Sequence, residues 1–287
     1  MMAAGRLHHS LIEADVHVTF LGTGTSSGVP VIACDCRTCR SDDPRDKRWR
    51  PSVRIVLDDE TTILVDASPD LRAQALRFGL TRVDAILLTH SHADHVLGLD
   101  DVRIFNFRQR ATIPCFGTER TLAQVRQMFS YVFDPTTPRG GGLPQLTLST
   151  VLGPFSIGTS IVHPVPLMHG TLPVLGFRIG SFAYLTDCNA IPEASWSLLE
   201  GLDVLVLDAL RDRPHPTHFT VAQAVEAASR INARRTLFTH MTHDLPHHDT
   251  CARLPRAMSL AYDGLTVEIR SPNADQLRTS VQPVPPH

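Results

Sequence analysis

Thr89-His90-Ser91-His92-Ala93-Asp94-His95 decides the reading of this chain: His90, His92, Asp94 and His95 place four metal-ligating side chains within six residues. The run before it, Val83 to Thr89, is apolar and reads as a short buried strand. Open α/β folds gather their chemistry where strands end. Neutral imidazole suits zinc, and a carboxylate is a common companion ligand in catalytic sites. Four neighbouring ligands are more than one ion easily takes from so short a loop, so the spacing points to two metals. The chain reads as a metalloprotein.

Composition bounds the rest. The 287 residues, 43% apolar and 20% charged, can bury a substantial core. They are read as one domain over 15–271, between a loose leader at 1–14 and a loose tail at 272–287. A net charge of −2 gives no general attraction for nucleic acid or an anionic membrane. Arg45, Lys47, Arg48 and Arg50 form a local basic cluster, read as a solvated loop. No apolar stretch reaches the roughly 18 residues needed to span a bilayer. The first fifteen residues hold no signal-peptide core, so the cytoplasm is expected. A homodimer is the default assembly.

Strand-like runs recur at Val16–Leu21, Val53–Leu57, Thr61–Val65, Ala85–Thr89, Ser160–Val165, Leu175–Ile179, Phe182–Thr186, Val204–Leu207, Thr236–Phe238 and Leu265–Ile269. Asp58-Asp59-Glu60 is expected to turn the second into the third, and Gly180-Ser181 the sixth into the seventh. Ser68 followed by Pro69 predicts a helix start that Gly79 ends. Thr220 caps a second predicted helix, and Thr118 to Tyr131 is a third. Asp134 to Leu143, with three consecutive glycines, reads as a flexible loop. Hairpins with interspersed helices predict a mixed α/β architecture rather than regular alternation.

Three more ligand candidates follow short apolar runs: His169 before Gly170, Asp187 after Phe182–Thr186, and His240 after Thr236–Thr239. With the first cluster they make seven. This set resembles the metallo-β-lactamase superfamily, over roughly residues 16 to 270. The resemblance implies an αββα sandwich, two mixed β-sheets flanked by helices, with a binuclear site at one edge. It implies that His90, His92 and His169 bind one metal, that Asp94, His95 and His240 bind the other, and that Asp187 bridges them. Zinc or manganese would fit these donors. Asp66, ending the run Thr61–Val65, matches the position that supports the histidine loop from behind.

Two features narrow the branch. Cys34-x-Cys36-x-x-Cys39 is too tight to staple distant segments, and in a chain without a signal peptide it favours metal over disulfides. His243 can supply a fourth ligand, completing a closed Cys₃His structural zinc set. Arg213-Pro214-His215-Pro216-Thr217-His218-Phe219 adds a loop histidine just before a helix. Together these are similar to the PhnP branch, the phosphoribosyl cyclic phosphodiesterases. By that resemblance His218 acts as general acid or phosphate-orienting group, hydroxide between the metals is the nucleophile, and Asp94 helps orient it. His215 competes with His218 for the catalytic place. Gly22-Thr23-Gly24-Thr25-Ser26-Ser27-Gly28 lacks the Gly-Lys-Ser/Thr ending of a phosphate loop and reads as a tight turn near the site.

The expected activity is hydrolysis of a small cyclic phosphate, such as phosphoribosyl 1,2-cyclic phosphate. The nearest rival, RNA 3′-end processing, needs a basic arm that this chain lacks. A thioester hydrolase of the glyoxalase II kind would not carry the three-cysteine knot. A non-catalytic metal-binding protein is the reading from a different class, and it would suit a chain that had lost a ligand; here all seven positions are filled.

Overall fold

Among the described residues, the ten expected strands and four more form two sheets of seven strands each. The structure is a computed structural model and describes residues 15–138, 140 and 142–270. The expected leader at 1–14 and tail at 272–287 lie outside these residues, as do Arg139 and Gly141 of the expected Asp134–Leu143 loop.

The first sheet opens with an antiparallel meander, β1 (Val16–Gly22), β2 (Ser52–Leu57) and β3 (Thr62–Val65). Asp58-Asp59-Glu60 makes the β2–β3 turn as expected. Then α1 (Leu71–Phe78) leads to β4 (Ala85–Leu87), which pairs parallel to β3. Short helices α2 (Ala93–Val96) and α3 (Arg103–Gln109) precede β5 (Ile113–Gly117), and α4 (Glu119–Met128) and α5 (Ser130–Phe133) precede β6 (Leu146–Thr150).

The second sheet repeats the plan. The strands β7 (Phe155–Ile157), β8 (Ser160–His169), β9 (Leu172–Ile179) and β10 (Phe182–Leu185) are antiparallel in turn. After α6 (Glu193–Trp196), the strand β11 (Val204–Asp208) adds parallel. After α7 (Val221–Ile231) and α8 (His247–Ala252), the strands β12 (Arg235–Thr239) and β13 (Met258–Leu260) also add parallel, and β14 (Thr266–Ile269) returns to pair with β1.

Side-chain alternation explains the layering. Val16, Val18, Phe20, Ile55 and Ile63 of the first sheet meet Phe177, Phe182, Tyr184 and Val206 of the second in one buried core. The opposite faces are covered by helices: Leu64, Ile86 and Leu88 pack under Leu71, Val102 and Val125, and Leu205, Leu207 and Phe238 under Val221, Ala224 and Ala228. Helix, sheet, sheet, helix is the order of layers, the expected αββα sandwich.

Local differences have physical reasons. Ser68 does not cap α1; its hydroxyl accepts from Asp70 N and donates to Gln74 Oε1, Asp70 takes the cap position, and Pro69 stays outside the helix. Gly79 ends α1 in the left-handed region as expected. Thr118 and Thr220 do cap α4 and α7, the latter in a full capping box with Gln223. The strand β8 runs four residues beyond its expected end, through Pro164 and Pro166. That is tolerable because β7 pairs only with Ser160–Val162 and the next bridge on that side joins Met168 to Ala190, leaving Pro164 and Pro166 no ladder bond to break.

The basic cluster is not the solvated loop expected from sequence. Arg48 is fully buried and donates to Thr242 O at 2.8 Å and Leu245 O at 2.5 Å. Arg45 pairs with Asp43, Arg50 with Asp70, and Lys47 donates to Cys39 O. Arg48 is spent inside the fold, and the other three are paired within the chain at its surface. Among the described residues no helix is long and apolar enough to cross a membrane.

Candidate metal centre

Strand ends build the site. Asp66, Asp187 and His240 each come just after a strand, or one residue beyond it, and each takes a left-handed backbone, with φ of 59°, 53° and 61°. Non-glycine residues pay about 1 kcal/mol for this conformation, and it is concentrated at functional sites. The sharp turn lets the chain leave the strand while its side chain stays over the sheet edges.

The seven expected ligands converge. One ligand atom from each of His90, His92, His169 and Asp187 lies within 4.8 Å of the others, and the same holds for Asp94, His95, Asp187 and His240. Asp187 belongs to both groups: its Oδ2 is 3.7 Å from His90 Nε2, and its Oδ1 is 3.2 Å from His95 Nε2 and 3.3 Å from His240 Nε2. Asp94 Oδ2 is 3.5 Å from both His95 Nε2 and His240 Nε2.

The far side of each ring is tied down. His95 Nδ1–H donates to Asp66 Oδ2 at 2.6 Å, and His90 Nδ1–H to Thr89 Oγ1 at 3.0 Å. Thr89 in turn donates its hydroxyl to Asp66 Oδ2 and its amide to Asp66 Oδ1. His169 Nδ1–H donates to Thr217 O at 2.8 Å. These bonds fix the tautomers, so Nε2 of each ring faces the cluster. There, His90 Nε2 and His95 Nε2 are buried without a hydrogen-bond partner. A buried nitrogen left this way costs about 1–3 kcal/mol unless something else satisfies it. The donor set fits two divalent cations.

The electrostatics agree. Burial opposes charge on Asp187 and Asp94, yet the histidines around them outweigh it and hold both carboxyls well below the usual range. The same carboxylates raise His95 and His240 against their burial, whereas burial lowers His90, His92 and His169. Both carboxylates are thus held ionised, the form in which they can ligate a cation.

Beside it, His218 is buried, with its ring 4.8 Å from His240 at 12° and 4.5 Å from His169. Its Nδ1 donates to Asp208 Oδ2 at 2.8 Å, so Nε2 is the free nitrogen. Asp208 also accepts from Cys188 N. Asp208 was not among the residues picked from sequence. Its signal was there: it follows the apolar run Val204–Leu207 just as Asp66 follows Thr61–Val65. His215 is half-buried, and its ring is 5.1 Å from that of His218.

A second cluster gathers Cys34, Cys36, Cys39 and His243, with Nδ1 of His243 at 3.2–3.4 Å from the three sulfurs. Hydrogen bonds from the Cys39 amide draw the Cys36 thiol down to about 7, and burial pushes Cys39 up to about 11. Four such donors fit one closed tetrahedral ion. Arg48 holds the carbonyls of Thr242 and Leu245 on either side of His243, so it fixes the loop that continues from His240. The Gly22–Gly28 turn braces the same loop, with Thr25 N donating to Met241 O and Met241 N to Thr23 O. A Cβ at Gly24 would stand 2.9 Å from Arg48 O, which explains the glycine.

The chain can now be set beside known proteins. The family model for the β-lactamase superfamily domain matches residues 61–241. The octanoyltransferase of Porphyromonas gingivalis is 39% identical over 247 residues, 85% of this chain and 50% of that protein, so the chain spans half the length of this relative. The crystal structure of a new diphosphatase from the PhnP family superposes with a TM-score of 0.83 at 44% identity, covering 89% of this chain and 97% of that one. Zn(2+)-bound PqqB from Methylobacterium extorquens shares the fold, with a TM-score of 0.72 at 21% identity over 88% of this chain and all of that one. The chain belongs to the metallo-β-lactamase superfamily, in its PhnP-like branch.

Proposed function

We propose that this protein is a two-metal hydrolase that cleaves a phosphodiester in a small molecule, with a cyclic phosphate such as phosphoribosyl 1,2-cyclic phosphate as the leading substrate. The observation that carries this reading is the Asp208–His218 pair, which sets a proton-carrying imidazole against the two metal-ligating clusters. His90, His92 and His169 would hold one cation, Asp94, His95 and His240 the other, and Asp187 both; zinc and manganese are equally suited to these donors. Such a cation pair supplies Lewis acidity, neutralising phosphoryl charge and making water acidic enough to attack at neutral pH.

The chain's own groups do the rest. Asp208 holds the His218 proton on Nδ1 and compensates the imidazolium, so that Nε2 can deliver a proton to the departing oxygen. Asp94 serves as ligand and orients the attacking water. The Cys34, Cys36, Cys39 and His243 set would hold a structural zinc that stiffens the wall carrying His240. The partner is a small phosphorylated molecule, acted on by a chain that would work as a homodimer in the cytoplasm.

The 44% identical diphosphatase favours a second substrate class, a phosphoric anhydride, in which the departing group is itself a phosphate. Octanoyl transfer is not brought to this chain, because half of that relative lies outside the match. RNA is disfavoured because, in the basic cluster at 45–50, Arg48 is buried and Arg45 and Arg50 are neutralised by neighbouring carboxylates.

The test is turnover of zinc- or manganese-loaded protein on three substrates: phosphoribosyl 1,2-cyclic phosphate, a nucleoside diphosphate sugar and a 3′-extended precursor tRNA. Opening of the cyclic sugar with intact tRNA supports the leading reading. Cleavage of the anhydride alone moves the assignment to diphosphatase. Cleaved tRNA with both small molecules untouched overturns it.

A further inference from the structure

We infer that His215 is a specificity-determining residue, a fixed hydrogen-bond donor to oxygens of the departing group. This rests on the phosphate-hydrolase reading above and deepens it.

The argument starts from the loop Arg213–His218. It is anchored at consecutive carbonyls: Asn189 Nδ2 donates to Pro216 O at 3.0 Å, and His169 Nδ1 donates to Thr217 O at 2.8 Å. Asn189 is itself held, its Oδ1 accepting from Gly170 N at 2.8 Å. A Cβ at Gly170 would come within 2.8 Å of Thr217 Cγ2, so the hairpin of β8 and β9 and this loop are in close contact. A metal-ligand histidine thus shares one peptide group with the loop.

The amide of the preceding peptide, whose Pro216 carbonyl accepts from Asn189, turns to His215. Thr217 N–H donates to His215 Nδ1 at 3.4 Å, and the Thr217 hydroxyl lies 3.3 Å from the same nitrogen. A ring nitrogen that accepts a backbone N–H carries no proton, so neutral His215 keeps its proton on Nε2. His218 is opposite in character: Asp208 accepts its Nδ1–H, which leaves Nε2 to exchange a proton.

Two histidine rings 5.1 Å apart are therefore set in complementary states. His218 can give and recover a proton at the breaking bond, whereas His215 only donates a hydrogen bond. Burial and the neighbouring His218 and Arg211 charges hold His215 below the ordinary histidine range, in keeping with a neutral donor. With its ring 5.1 Å from that of His218 on the same anchored loop, it is within reach of atoms attached to the departing oxygen. A phosphate or polyol departing group offers acceptors there; an aromatic phenolate offers none.

The test uses two substitutions in the metal-loaded protein. Asparagine places its amide near Nδ1 and keeps the Thr217 bond while losing the Nε2 donor; glutamine places an N–H near Nε2. The ratio of kcat/KM on the small-molecule substrate to that on bis(p-nitrophenyl) phosphate should fall about 10–50-fold in His215→Asn, the value of one hydrogen bond to a charged group. His215→Gln should recover most of it. Equal losses on both substrates would overturn the inference and assign His215 to loop structure. Inorganic phosphate binding by calorimetry gives a readout independent of turnover: weakened about tenfold in His215→Asn and restored in His215→Gln. If the wild type turned over none of the substrates yet lost phosphate affinity in this pattern, the inference would stand and the function would fall. Unchanged phosphate affinity in His215→Asn would sink it in either case.

Discussion

At the scale of single residues, the division of labour between ring nitrogens decides what the site can do. His218→Ala should retain the active-site metals while turnover drops roughly 10²–10⁴-fold. Metal content by elemental analysis, measured beside kcat, separates this from ligand loss. Asp208→Asn should approach the same loss, because a neutral amide cannot compensate the imidazolium that carries the transferable proton on Nε2. If Asp208→Asn kept full activity, the pair would be structural only. The ligands themselves were legible from spacing, since His90, His92, Asp94 and His95 crowd one loop. Asp208 and Thr217 were not, because their work lies in which nitrogen they address and sequence carries no tautomer.

At the scale of elements, short loops with many donors replace large packed surfaces. The Cys34–Cys39 loop and the His243 loop meet through sulfurs, one imidazole and the buried Arg48 guanidinium. Cys36→Ala should release one metal per chain and lower the melting temperature before it touches chemistry. A variant with unchanged metal content would remove the structural-zinc proposal. The strands with plain β-branched runs, such as Val53–Leu57 and Thr236–Phe238, could be read directly. Those at β5, β6, β7 and β13 could not: β7 and β13 have three residues, β5 contains Pro114, and β6 alternates Leu with Thr and Ser. Their strand character comes from the neighbour they pair with.

At the scale of the whole molecule, stability should follow metal and pH. Chelation leaves like-charged carboxylates and unpartnered imidazoles facing one another at the seam of the two sheets. A cation at a thousand times its dissociation constant adds about 4 kcal/mol through mass action. Treatment with a strong chelator should therefore lower the melting temperature and abolish activity together, and both should return on adding zinc or manganese. Loss of activity with no thermal shift would place the metals outside the folded state's energetics.

The acid limb has an identifiable contributor. His247 is buried beside Tyr262 with Nδ1 unpartnered, and burial, with Arg45 and Arg48 nearby, lowers it to about 4. An unfolded histidine titrates near 6.5, so between those values the unfolded chain binds the extra proton. The contribution is complete above about 6.5 and disappears as pH falls through 4, amounting to about 2 kcal/mol after allowance for partial hydration. Urea midpoints at pH 7 and pH 4.5 should show a smaller difference in His247→Gln than in the wild type. An identical difference would assign the acid limb to other groups.

The pairing of β1 with β14 bears on how the chain is made. Among the described strands, the first in sequence takes its outer neighbour from residues 266–269. Until then the growing chain carries an open edge along Val16–Thr19, a template for unwanted strand addition. The metal ligands are dispersed in the same order, from His90 to His240. Neither the first sheet nor the proposed site is complete until residues 240–269 have been made, so both belong to the last part of this domain's synthesis.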